Sequence, residues 1–158
     1  MCVYLMRHGA AREPDEWEGS DETRPLTAEG RKRVLETLRA LKKKHGLEVS
    51  KIWSSPYTRA WQTAEAAKEI LHAKLQPCSV LASGAALEEL AALMKRHRTE
   101  PLMLIGHEPA LGELLSCLLG ESGARPFKKA AVVCLKGRFR AGGMKLKWFL
   151  SPKDVLKD

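Results

Sequence analysis

The sequence predicts an α/β fold, a three-layer α/β/α sandwich built on a mainly parallel, mixed sheet of about six strands. Three observations predict it. Short β-like runs alternate with stretches of helical period, which requires a parallel sheet with helices on both sides. Pro101 to Gly106 is nearly all apolar, as a strand buried on both faces must be. The last two β-like runs are joined only by a Gly-containing turn, too short for a crossover, so they form an antiparallel hairpin. The 158 residues suit one domain spanning residues 1–158, large enough to bury a core without disulfide support.

The elements follow in order. Met1 to Met6 is an apolar run of strand formers, and it stops at Arg7-His8-Gly9. Glu13 to Arg24 is an acidic, irregular loop with Pro14, Gly19 and Pro25 as breakers. Thr27 is placed as a helix N-cap, Val34, Leu38 and Leu41 lie at helical spacing, and His45-Gly46 supplies the stop. Lys51 to Ser54 is a second strand. Tyr57 to His72 is a helix with Ala60, Ala64, Ala67 and Leu71 on one face. Gln76 to Leu81 is expected as a third strand, followed by a helix from about Ala86 to His97. Pro101 to Gly106 is the fourth strand, Leu111 to Leu119 a helix that Gly120 ends. Ala130–Leu135 and Met144–Leu150 are the strands of the hairpin, joined through Lys136 to Gly143.

Composition removes several function classes. No apolar run approaches the roughly 20 residues that span a bilayer, and the first residues lack a basic start followed by an apolar stretch. A soluble, cytoplasmic protein with no membrane partner is expected. Cys2, Cys78, Cys117 and Cys134 are scattered, without CxxC or metal-ligand spacing, and are expected as reduced, partly buried thiols. From Arg125 onward there are 10 basic and 2 acidic side chains, an excess equal to the whole net charge of +8. Few aromatics interleave with these charges, so solvated strand faces are favoured over nucleic-acid binding. His45, His72 and His97 each sit near a helix end, where the dipole favours a cation, and so do Lys42 to Lys44. Trp53 and Trp61 are expected as packing residues. Trp17 either covers the site as a partial lid or anchors its loop.

The polar groups at strand ends carry the chemistry. Arg7-His8-Gly9 ends the first strand, Ser54-Ser55-Pro56-Tyr57-Thr58-Arg59 follows the second, and Gly106-His107-Glu108-Pro109 ends the fourth. In a parallel sheet these ends share one edge, where open α/β sheets bind ligands. Arg7, His8, Arg59 and His107 can therefore converge. Two guanidiniums grip a phosphoryl group, helix N-termini add N–H donors, one imidazole can attack phosphorus, and the other can hydrogen-bond the transferring oxygens.

Met6-Arg7-His8-Gly9, Ser54-Ser55-Pro56 through Arg59-Ala60 with Gln62-Thr63-Ala64, and Gly106-His107-Glu108-Pro109 resemble the three motifs of the histidine phosphatase superfamily. This family is also called phosphoglycerate-mutase-like. Arg24-Pro25-Leu26-Thr27 with Gly30 is similar to the segment before the first helix in its SixA-type phosphohistidine phosphatase branch. The resemblance covers almost the whole chain. It implies a phosphoglycerate-mutase-like fold and a hydrolase without metal or cofactor. His8 would become phosphorylated, Arg7, Arg59 and His107 would hold phosphate, and Arg24 would be an auxiliary contact.

One departure bears on the substrate. Many relatives carry an acidic residue soon after the third strand, which protonates an ester leaving group. Here that region is Ala82-Ser83-Gly84-Ala85. Glu13, Glu88, Glu89 and Glu108 are the candidate replacements, each set against a plainer reading as a solvated carboxylate. Without an acid, an alkoxide leaves badly, whereas the labile P–N bond of phosphohistidine is easier to break. The chain also has no room for the long lids of the mutases. The leading expectation is hydrolysis of phosphohistidine in a protein partner, such as a histidine phosphotransfer domain. The alternatives are a phosphatase of sugar or other small phosphate monoesters, and a non-catalytic phosphate-binding module.

Overall fold

Six strands form one sheet: β1 (Cys2–Arg7), β2 (Lys51–Ser54), β3 (Lys74–Pro77), β4 (Leu102–Gly106), β5 (Val132–Gly137) and β6 (Met144–Leu150). Five helices accompany them: α1 (Ala28–His45), α2 (Thr58–Leu71), α3 (Leu87–Arg96), α4 (Ala110–Leu119) and the short α5 (Pro152–Val155). The computed structural model describes residues 1–96 and 101–156. The strand order is β3-β2-β4-β1-β5-β6. The first three pairings are parallel, and β5 runs antiparallel to both β1 and β6. The mainly parallel sheet with a terminal hairpin is the one the sequence predicts.

Strand alternation builds the three layers. Tyr4, Met6, Ile52, Met103 and Ile105 face one side, where Val34, Leu38 and Leu41 of α1 and the alanine face of α2 cover them. Val3, Leu5, Trp53, Leu102 and Leu104 face the other, beneath α4 and α3. All five residues of β4 are buried, as its continuous apolar run requires.

Helix ends follow local chemistry. The Thr27 hydroxyl accepts the Gly30 N–H at 2.9 Å, and Gly46 closes α1 in the left-handed conformation, φ 63°. His72, exposed, takes the equivalent role after α2 with φ 56°. His45 is exposed and lies against Trp148, with ring centroids 5.6 Å apart. Two elements differ from expectation. The third strand is Lys74–Pro77, not 76–81, because this edge strand is polar and its apolar successor Leu81 is buried in a 3₁₀ turn instead. The fifth strand starts two residues later than expected, at Val132, after Ala130 adopts φ 63°. The helix α5 lacks hydrophobic period and escapes notice; the Asp154 carboxylate accepts both the Ser151 N–H and its hydroxyl at 2.8 and 2.9 Å.

The acidic loop contains two 3₁₀ turns, Pro14–Glu16 and Asp21–Thr23. Trp17 anchors it: the indole N–H donates to the Ser20 carbonyl at 3.1 Å and reaches the Thr23 hydroxyl at 3.3 Å. Trp53 is buried, as expected of a packing residue, while Trp61 is half-buried. The cysteines are free; Cys117 is exposed, Cys2 half-buried, and Cys78 and Cys134 buried. The basic residues Lys136, Lys145 and Lys147 are solvated on the hairpin. The position expected for His97 lies outside the described residues. No helix among the described residues is long and apolar enough to cross a membrane.

Gly30 marks a close approach, because a Cβ there would overlap the Ala10 carbonyl. Gly30→Ala is expected to lower stability by about 1–3 kcal/mol through overpacking, read as a reduced midpoint in urea unfolding. An unchanged midpoint would show that the 8–12 segment yields freely.

Candidate active site

The register of β1 on β4 sets the site. Arg7 lies opposite Gly106, so His8 and His107 leave neighbouring parallel strands at the same level, and their ring centroids are 5.3 Å apart. The His8 backbone N–H donates to the Gly106 carbonyl at 3.1 Å, extending the ladder one step. His8 is 6 % exposed. Its Nδ1 lies 2.7 Å from the Gly9 carbonyl oxygen. A carbonyl can only accept, so Nδ1 carries the hydrogen and Nε2 holds the lone pair. Burial pulls His8 down to about 3, with Arg59, Arg7 and His107 pulling the same way against the Gly9 hydrogen bond. The ring is neutral at pH 7.

Helix α2 is tied to this turn. The Gly9 N–H donates to the Thr63 hydroxyl at 3.0 Å, and that hydroxyl donates to the Arg59 carbonyl at 2.8 Å. Arg59, in the first turn of α2, is 7 % exposed. Its terminal nitrogens donate to the Asp21 carbonyl at 2.8 Å and the Asp21 Oδ2 at 3.1 Å. The other Asp21 carboxylate oxygen accepts Arg24 Nε at 3.1 Å, and Arg24 also donates to the Arg12 carbonyl at 2.6 Å. Burial works to raise the Asp21 carboxyl, but the contacts with Arg24 and Arg59 outweigh it and hold the group below its usual value. Arg7 donates to the Phe127 carbonyl at 2.8 Å.

His107 packs beside Tyr57, centroids 5.2 Å apart, and its Nε2 lies 2.7 Å from the Ser55 hydroxyl. Burial, then Arg59, brings its value down to about 4. Among the described residues four buried side-chain polar atoms lack a partner, and three of them are Arg7 Nε, Arg59 Nε and His107 Nδ1. Buried donors are rarely left unsatisfied. Three of them cluster in this one site.

The resulting cavity has a volume of about 260 Å³ and is lined by Arg7, His8, Arg24, Arg59 and His107, with Glu13, Glu108 and Lys129. Through Ala11, Glu13 and Lys129 it adjoins a second concavity of about 560 Å³ that includes Arg12, Glu16 and Thr27. All five positions singled out in the sequence thus meet. Glu108 is committed elsewhere: Oε1 accepts the Gly112 N–H at 2.7 Å and Oε2 the Phe127 N–H at 3.1 Å. Glu88 and Glu89 are exposed on α3 and do not line the cavity. Glu13 is exposed and lines it. The sequence reading missed Asp21, Ser55, Thr63 and Lys129 as parts of the site. Ser55 and Thr63 lie inside a motif and were findable, whereas nothing local distinguishes Asp21 or Lys129. Among the described residues no group of three or more His, Cys, Asp or Glu is placed to hold a metal ion.

The family model of the histidine phosphatase superfamily (branch 1) matches residues 3–82, which contain the Arg-His-Gly turn and Arg59. The chain belongs to the histidine phosphatase superfamily. No curated protein matches it in sequence. Among solved structures, the protein histidine phosphatase SixA complexed with tungstate is 26% identical, with a TM-score of 0.84 over 98% of this chain and 99% of that one. A structure assigned as a SixA phosphohistidine phosphatase in Agrobacterium tumefaciens is 24% identical, TM-score 0.75, over 96% and 97% of the two chains. A mycobacterial glucosyl-3-phosphoglycerate phosphatase is 15% identical, TM-score 0.69, over 92% and 96%. The last two likenesses show the fold alone, which is phosphoglycerate-mutase-like.

The buried His8 and half-buried His107 imidazoles are expected to make the fold of this histidine phosphatase acid-sensitive in a defined sense. Both folded values lie below the unfolded value of 6.5. Between about pH 6.5 and 4 the unfolded chain binds more protons, so stability falls as pH falls, by at most about 1.4 kcal/mol per pH unit for each histidine. In phosphate-free buffer, His8→Asn or His107→Asn is expected to have a shallower decline across this window in denaturant titrations. Equal slopes in wild type and variants would place the acid sensitivity elsewhere.

Proposed function

We propose that this histidine phosphatase hydrolyses phosphohistidine in a protein, passing the phosphoryl group through His8. The observation that carries the reading is the neutral, buried His8 with its Nδ1–H committed to Gly9 and its Nε2 free, beside three unpartnered buried side-chain nitrogens. In this mechanism Arg7, Arg59 and His107 hold the phosphoryl oxygens, and Arg24 adds an auxiliary contact at the rim. The Nε2 lone pair forms a bond to phosphorus as the substrate's P–N bond breaks, and that electron pair leaves on the substrate imidazole, which takes a proton from water. Water then attacks phosphorus, the P–Nε2 bond breaks, and phosphate leaves with His8 neutral again. The guanidiniums supply the charge stabilisation, so the reading calls for no metal or cofactor.

The missing acid supports this substrate class. Glu108 is spent on two backbone N–H groups, and Glu13 is solvated, so among the described residues no free buried carboxylic acid lines the cavity to protonate an alkoxide. Transfer from one imidazole to another exchanges one P–N bond for a similar one and needs less help. The adjoining concavity leaves room for the chain that bears the phosphohistidine. The likeness to the protein histidine phosphatase SixA supports the same class. A second reading is a small-ester phosphatase in which Glu13, on the cavity wall, serves as the acid. The structural likeness to a glucosyl-3-phosphoglycerate phosphatase keeps that reading in view. A purely phosphate-binding module has no need of the prepared Nε2.

His8→Ala is expected to lower turnover of a phosphohistidine protein by roughly 10³-fold or more while the fold is retained, and acid-free quenching of wild type should trap phosphate on His8. Ready turnover by that variant would remove His8 from the mechanism, and failure of wild type to label with any good donor would favour the binding module. Glu13→Gln is expected to leave phosphohistidine hydrolysis within about threefold. A loss of about 10²-fold on esters that wild type hydrolyses well would instead support the acid role.

A further inference from the structure

Ser55 is fully buried, immediately after β2. Its backbone N–H donates to the Ile105 carbonyl at 3.0 Å, which holds it against β4 one residue beyond the sheet register. Its hydroxyl accepts the Tyr57 N–H at 3.2 Å and meets His107 Nε2 at 2.7 Å. A hydroxyl has one hydrogen and two lone pairs, and a neutral imidazole has one N–H. His107 is neutral at pH 7, since burial brings it down to about 4.

Only one assignment satisfies these groups. If Nε2–H donated to Ser55, the serine hydrogen would have no acceptor among the described residues, in a position without solvent. His107 Nδ1 would then carry a bare lone pair, which repels the oxygens of an anion. If the serine donates to Nε2, its hydrogen is used, and Nδ1–H is the remaining donor. Nδ1 is buried and unpartnered, in a ring that lines the cavity.

We propose that Ser55 is a positioning residue that holds His107 as the Nδ1–H tautomer, making that N–H a fixed donor for a phosphoryl oxygen. His8 and His107 then carry their hydrogens on the same ring atom for opposite purposes. Gly9 occupies the His8 hydrogen and frees a lone pair for attack, while Ser55 occupies the His107 lone pair and frees a hydrogen for binding. The tautomer rests on the hydrogen-bond geometry of a neutral ring; its use in turnover rests on the function proposed above.

The test is nitrogen-15 NMR of the full chain near pH 7 in phosphate-free buffer. Wild-type His107 is expected to show a protonated, pyrrole-type Nδ1 and an unprotonated, pyridine-type Nε2. In Ser55→Ala, with unchanged His8 signals as the check on folding, the Nδ1–H preference is expected to weaken and kcat to fall about 10²-fold, the cost of losing one oriented donor. Ser55→Thr, which keeps the hydroxyl, is expected to retain the wild-type tautomer where it folds. A wild-type His107 protonated at Nε2 overturns the proposal, as does a Ser55→Ala protein with the wild-type tautomer. A changed tautomer with unchanged kcat overturns the donor role. The expected tautomer in a protein without phosphatase activity would sink the proposed function and leave the Ser55 assignment standing.

Discussion

The rest of the structure depends on one alignment, the parallel pairing of β1 and β2 with β4 between them. Arg7 opposite Gly106 and Ser54 opposite Ile105 bring three chain segments to the same sheet edge at the same height. His8, Ser55 and His107 are each the next residue along. A slip of one residue would turn every side chain of β1 to the opposite face, exchanging Tyr4 and Met6 with Val3 and Leu5 between the two layers and spoiling the packing of both. The two apolar layers therefore enforce the register that brings His8, Ser55 and His107 together. The Gly9–Thr63–Arg59 chain of hydrogen bonds then fixes α2 against that edge.

The electrostatics follow from burial. The cavity gathers Arg7, Arg24, Arg59 and Lys129, a concentration of positive charge that would be unfavourable if left unsupported. The protein holds it with acceptors at the back of each guanidinium: the Phe127 carbonyl for Arg7, Asp21 for Arg59, and Asp21 with the Arg12 carbonyl for Arg24. The same burial keeps both imidazoles neutral. In the proposed mechanism, fixed cations beside neutral rings suit an anion attacked by a lone pair, because a protonated His8 would have none.

The carboxylates divide by position. Glu108 stands beside His107 in sequence, yet it joins the start of α4 to the 127 segment through two backbone N–H groups. Its loss would loosen the wall that positions Arg7 through Phe127. Asp21 is solvent-exposed but joins two arginines. Of Glu13 and Glu108, which both line the cavity, Glu13 is exposed and Glu108 is half-buried.

The sequence by itself determined what depends on near neighbours. Thr27 and Gly46 delimit α1 because caps satisfy backbone groups within three or four residues, and the uninterrupted apolar run 102–105 could only be an interior strand. Arg7, His8, Arg59 and His107 were legible because they stand next to those strands, and Arg24 because its segment resembles a known one. Lys74–Pro77 was misplaced because an exposed edge strand carries no apolar alternation, and Leu81 was mistaken for its continuation. Only the tertiary structure decided that Asp21 bridges Arg24 and Arg59, that Glu108 is spent on backbone, that Lys129 from the basic tail joins the cavity, and that Ser55 meets His107. The longer of those contacts join residues 19 to 52 positions apart, and the rest depend on which way one side chain turns. Pairing register and core packing set them, and neither is written in any local stretch of the chain.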